Sequence, residues 1–212
     1  MSNSTRYAVQ CDRMTTNERL AGQIKDGVVV YDTDLNAYYK VVGGAWVEEP
    51  VDANDIGTGW AQYSDTIYTS GSPLLVTQGT EVALTNNAGS TITSNLPTGV
   101  TAFYDGTTNL ITPENSGDAY MLRVDFSAWN TVTEGYGVVK LDIGGGIGVI
   151  LNRSVQFPRG SGSGNVRLFT SSSLIYTLGT FIANGGTLTF ESVRGNTSIY
   201  DINFVISRIH KA

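Results

Sequence analysis

From Trp60 to Ala212, turn chemistry separates nearly all of the apolar runs, and this punctuation constrains the fold more than any other feature. The breaks fall at Ser70-Gly71-Ser72-Pro73, Thr85–Gly89, Leu96-Pro97-Thr98-Gly99, Pro113–Asp118, Ala183–Gly186 and Arg194-Gly195-Asn196. Between them lie runs rich in β-branched and aromatic residues: Ala61–Tyr68, Leu74–Thr77, Glu81–Leu84, Ala102–Asp105, Leu110–Ile111 and Tyr120–Ser127. Tyr136–Ile143, Val149–Phe157, Asn165–Tyr176, Thr187–Val193 and Thr197–Ile209 continue the series. Many short strands at near-even spacing predict an all-β sandwich or barrel. The 25 glycines and 11 tyrosines among 212 residues fit strands and turns and fit long helices poorly.

The final run carries more information than the others. Strict alternation places Ile199, Asp201, Asn203, Val205, Ser207 and Ile209 on one face. Tyr200, Ile202, Phe204, Ile206 and Arg208 fall on the other. Both faces are largely apolar, so the strand is expected to be covered on both sides. One cover is the sandwich core, and a second subunit is the simplest source of the other. Tyr200, Ile202, Phe204 and Ile206 are the expected interface residues.

The N-terminal part reads differently. Met1–Thr5 is small and polar, and Thr16–Leu20 can hold a helical turn. Val28–Tyr31, Ala37–Val42 and Ala45–Glu48 predict a three-strand meander, with turn chemistry at Asp32–Asn36 and a hairpin at Gly43-Gly44. So small a sheet is near the lower limit for independent stability and is expected to dock on something. Glu48–Gly59, with Pro50 and Gly57-Thr58-Gly59, is the linker candidate. Two segments follow: 1–58, an arm and meander, and 59–212, the sandwich.

Chemistry-bearing motifs are sparse. Gly144-Gly145-Gly146-Ile147-Gly148 superficially resembles a phosphate loop, but Val149-Ile150-Leu151 continues as strand where a helix is required. A bend or a close backbone approach is the expectation. The single histidine, His210, lies beside the chain end, where a supporting catalytic shell is hard to build. Asp32 with Asp34, and Glu48 with Glu49, are close acidic pairs lacking further ligands at metal spacing; turn formation accounts for Asp32 and Asp34. No catalytic residue, cofactor or metal is expected. The aromatic residues Trp60, Tyr63, Tyr68, Phe103, Tyr104, Tyr120, Trp129, Tyr136, Phe181 and Phe190 could form a sugar platform, but core packing is the default reading. Gly160–Gly164 is flexible by composition, and such loops often carry recognition.

Charge excludes further classes. The formal net charge is -6, with 13 scattered Lys and Arg and no basic stripe, which argues against nucleic acid and against anionic membranes. Leu141–Leu151, the longest apolar stretch, contains Asp142 and four glycines and is too short to span a bilayer. Cys11 is the only cysteine, so no internal disulfide can form, and Met1–Arg13 lacks the apolar core of a signal peptide. Synthesis in a reducing cytoplasm is expected.

Two sets of segments resemble a known family. Gly27–Tyr39, followed by Gly43-Gly44-Ala45-Trp46-Val47, is similar to a short unit near the N-termini of tailed-bacteriophage fibre and virion proteins. Tyr63–Leu74, Ile111–Pro113, Gly117–Phe126 and the ending Ile199–Ala212 resemble phage virion domains of the tumour-necrosis-factor-like jelly-roll type. The resemblance implies a homotrimer on the virion surface with its last strand in the inner sheet. It implies an N-terminal unit that docks to the major capsid protein or another virion protein, and it supplies no catalytic residues. Tyr31, Tyr38, Tyr39 and Trp46 are the expected anchor residues. A capsid-decorating protein or short head fibre fits better than a long tail fibre, because no repetitive shaft is present. The alternative is a tail-fibre tip that recognises a host surface glycan.

Overall fold

The computed structural model describes residues 12–21, 28–35, 37–49, 57–157 and 160–212. The chain forms two compact units, Met1–Asp55 and Ile56–Ala212. Cys11 lies outside the described residues.

The first unit contains β1 (Asp12–Met14), α1 (Thr16–Ala21), β2 (Val29–Asp32), β3 (Ala37–Val42) and β4 (Ala45–Glu49), in the sheet order β1-β2-β3-β4. Gly43 and Gly44 have φ of +59° and +75°, the two positive values that a tight hairpin turn demands. The meander gains a strand that alternation could not show: three residues, Asp-Arg-Met, run parallel to β2. A parallel pair needs a crossover, and α1 lies in it.

The second unit is a sandwich of two antiparallel sheets. Its strands are β5 (Gly59–Ser64), β6 (Leu74–Val76), β7 (Glu81–Ala83), β8 (Ser90–Ile92), β9 (Tyr104–Asp105), β10 (Leu110–Ile111), β11 (Ala119–Asn130), β12 (Gly135–Asp142), β13 (Val149–Phe157), β14 (Arg167–Tyr176), β15 (Thr187–Arg194) and β16 (Thr197–His210). The front sheet runs β14-β11-β16-β5-β8, with β6 also on β16; the back sheet runs β13-β12-β15-β7. The chain passes from front to back and returns so that β16 is central to the front sheet and β15 to the back. This is jelly-roll connectivity. One short helix, α2 (Gly179–Asn184), precedes β15 and buries Phe181.

Alternation builds the core. Along β11, Tyr120, Leu122, Val124, Phe126 and Ala128 all point inward. Phe126 stacks on Phe169 with centroids 4.7 Å apart and meets Phe190 of the back sheet edge-on at 6.0 Å. Asn86, fully buried, spends its side chain on the Tyr63 and Ile202 carbonyls and the Ala88 amide. That satisfies a polar group which would otherwise be costly inside a core.

One local feature changes the reading of the last strand. Asp201 adopts φ +53°, and the register against β11 slips between Asp125 and Ser127. The bulge adds a residue, so Ile199 and Ile202 both face inward although their parity differs. Tyr200, Ile202, Phe204 and Ile206 are buried in their own sandwich, and Phe204 meets Tyr104 edge-on at 5.2 Å. This corrects the expectation that these four meet another subunit. The outward face of β16 is instead Asn203, Val205, Ser207 and Ile209.

Candidate assembly surface

The outer face of the front sheet is built in cross-strand rows. One row is polar and hydrogen-bonded. Gln62 donates to Ser64 Oγ (3.3 Å), Ser64 donates to Asn203 Oδ1 (3.0 Å), Asn203 donates to Asp125 Oδ2 (3.1 Å), and Arg123 Nε donates to the same oxygen (2.9 Å). The chain of bonds crosses from β5 over β16 to β11. Beside it the register aligns Leu174, Met121, Ser207 and Trp60 across four strands. Leu174 is 65% exposed and Trp60 37%, and Tyr176 and Ile209 stand exposed nearby. An antiparallel sheet face that meets water commonly carries polar residues at such positions.

The apolar surface continues around the β14 edge. The β12–β13 hairpin turns on Gly144, Gly145, Gly146 and Gly148, all at positive φ, and this holds Ile147 outward. The glycine run is therefore a strand–turn–strand connection. Ile147, Ile150, Leu151, Leu174, Tyr176 and Leu178 line an open groove of about 190 Å³. Leu174 and Tyr176 belong to both the groove and the sheet face.

In the N-terminal unit the four expected anchor residues do not form one patch. Tyr31 and Tyr38 face each other across the β2–β3 pair, 4.9 Å apart and edge-on, with the Arg13 guanidinium 5.7 Å from the Tyr31 ring. Tyr39 and Trp46 lie on the other side, where the Arg19 guanidinium sits 3.7 Å from the Tyr39 ring centre and 5.8 Å from that of Trp46. Trp46 Nε1 is shielded and makes no hydrogen bond among the described residues. Arg19 also pairs with Asp32 at 2.8 Å, both buried. Burial pushes the Asp32 carboxyl up, but Arg19, the Leu35 and Asp34 amides and the Thr16 hydroxyl together hold it below its ordinary value. Asp34 accepts from the Thr16 amide. These acids tie α1 to the β2–β3 turn, as turn chemistry predicts.

A second buried polar cluster closes the sandwich. Asp118 accepts from the Ala212 amide (3.0 Å), the Tyr120 hydroxyl (3.1 Å) and Arg208 Nη1 (3.5 Å), while Arg208 Nε bonds to the Gly57 carbonyl. Burial pushes the Tyr120 hydroxyl up to about 12. The cluster links Gly57 through Arg208, and Ala212 directly, to Asp118 just before β11.

The remaining sequence candidates are scattered. His210 is exposed at the end of β16, and Glu48 is exposed on β4. Tyr63, Phe103, Tyr104, Tyr120, Phe181 and Phe190 are core residues, Tyr68 and Trp129 are half-buried, and only Trp60 and Tyr136 stand exposed, so no aromatic platform forms. The Gly160–Gly164 segment is bonded into place: Gly162 donates to the Asn130 carbonyl (2.7 Å), and the Asn165 amide donates to Gly162 (3.0 Å). Leu168, Leu174 and Tyr176 were not singled out from sequence, although their alternation with Phe169 and Ile175 marks β14 as apolar on both faces.

The fold and this surface define a class, the jelly-roll β-sandwich with a small N-terminal sheet. No protein-family model and no curated protein matches the chain. Among solved structures it is similar to PRD1 vertex protein P5, at 16% identity over 88% of this chain and 84% of that one, with a TM-score of 0.44. It is similar to Eiger TNF from S. frugiperda, at 10% identity over 73% and 93% of the two chains, TM-score 0.44. It is similar also to infectious bursal disease virus VP2, at 9% identity over 81% and 39%, TM-score 0.37.

Proposed function

We propose that this chain is a virion structural protein, a homotrimeric capsid-decorating protein or short head fibre. Residues 1–58 attach it to the major capsid protein or another virion protein, and residues 59–212 form the knob. The observation that carries the trimer is the row of exposed apolar side chains on the front sheet, continuous with the groove at its edge. Stable interfaces bury about 800 Å² per partner, and apolar area contributes roughly 25 cal/mol per Å². Threefold symmetry then multiplies weak attachment by each N-terminal unit. Electron microscopy of particles carrying a tagged copy tests the address: density on the capsid supports the proposal, and absence from the particle overturns it.

A tail-fibre tip is the second reading, favoured by one feature of the back sheet. Exposed Tyr136 pairs across strands with Gln156 and Arg194, and with Glu134 it borders an open pocket of about 280 Å³. An aromatic face among amide, carboxylate and guanidinium groups suits a sugar ring. Tail-located density, together with host-glycan binding that Tyr136→Ala abolishes, would establish this reading in place of the first.

A further inference from the structure

Resting on the trimeric reading, we infer that Trp60 of one copy fills the apolar groove beside Leu174 of the next. A threefold ring cannot use one self-complementary patch. It needs two different patches per copy, so that each subunit presents one and receives the other. The front sheet supplies both, one at its β14 edge and one on β5, where β8 pairs only with Gln62–Ser64. At the β14 edge lies a concave apolar surface of Leu174, Tyr176, Ile150 and Leu178. On β5, the strand next to the β8 edge, stands one large partly exposed side chain, the indole of Trp60.

Register brings the two together. Leu174 pairs with Met121, Met121 with Ser207, and Ser207 with Trp60, so groove and indole stand at the same level along the strands. Rotation about an axis running along the strands preserves that level. The outer face of β5 in one copy, one strand in from the β8 edge, then meets the β14 edge of its neighbour with Trp60 opposite Leu174. Met121 and Ser207 lie between them toward the axis, and the polar row Gln62–Ser64–Asn203–Asp125–Arg123 lies farther along it. The glycine hairpin acquires a role here, because its turn places Ile147 on the groove wall.

Within one chain Trp60 and Leu174 are three strand spacings apart, roughly 14 Å, beyond the 7 Å limit for a disulfide between their Cα atoms. A cross-link between these positions can therefore form only between copies. The test uses the full chain carrying Cys11→Ser, Trp60→Cys and Leu174→Cys, oxidised with copper phenanthroline and run on a non-reducing gel. The expected result is a covalent trimer as the main product, with neither single-cysteine variant cross-linking. A covalent dimer from Trp60→Cys alone would show a two-fold contact and overturn the inference. So would a trimer by light scattering that fails to cross-link, which leaves the groove to another partner. A monomer by light scattering would overturn the trimeric reading itself. As a second variant, Leu174→Arg on this exposed site should weaken trimer association at least tenfold while the sandwich keeps its strand circular dichroism. Unaltered association would count against the groove.

Discussion

Single residues decide how tightly the sandwich closes. Phe126 touches an aromatic of its own sheet and one of the opposite sheet, so Phe126→Ala should cost about 3–5 kcal/mol, read as a lowered urea midpoint with unchanged slope. The Asp118–Arg208 cluster behaves differently. Arg208→Met leaves a buried carboxylate without its cation and should cost about 3–5 kcal/mol, whereas Arg208→Met with Asp118→Leu should recover part of the loss. On the back sheet, Lys140 Nζ lies 2.7 Å from Glu81 and 2.6 Å from Glu191. The Lys140 hydrogen bond holds the Glu81 carboxyl below its ordinary 4.5, and the bonds to Glu191 and Glu81 hold Lys140 above its ordinary 10.5. The Glu81 contribution is thus complete above pH 4.5 and lost as pH falls through its lower folded value. The Lys140 contribution is complete below pH 10.5 and lost as pH rises through its higher folded value. Urea midpoints measured from pH 7 downward should fall less steeply for Lys140→Met than for the parent chain.

At the scale of elements, legibility followed the period of the side chains. Val149–Phe157 and Leu110–Ile111 are strands at the expected residues, because apolar runs end in residues that make turns. Gly43-Gly44 announced its hairpin because few other residues tolerate two successive positive φ values. The β8 strand, Ser-Thr-Ile, and the six-residue α2 were too short for any period to emerge, and β1 forms only because β2 is there to pair with it. The bulge at Asp201 was illegible for another reason. Aspartate tolerates positive φ but does not demand it, and the extra residue is imposed by pairing with β11. Strict alternation therefore set apart as interface residues four side chains that face the core of their own sandwich. Asp201→Val should cost about 1–2 kcal/mol through the strained backbone, again seen in the urea midpoint.

The whole molecule joins a small aromatic sheet to a jelly roll whose front face carries more exposed apolar surface than water alone would favour. Tyr200, Ile202, Phe204 and Ile206, the interface residues expected from sequence, face the core, so any second subunit on this sheet would meet its other side. The exposed apolar residues of the front face, Trp60, Met121, Leu174 and Tyr176, come from three strands and share a surface only through register, which no single segment reveals. In the proposed trimer, this face holds three copies together. Light scattering on the purified chain at micromolar concentration measures it most directly. A mass of three times the 22.7 kDa chain is the expected result, and a well-folded species at 22.7 kDa would contradict it.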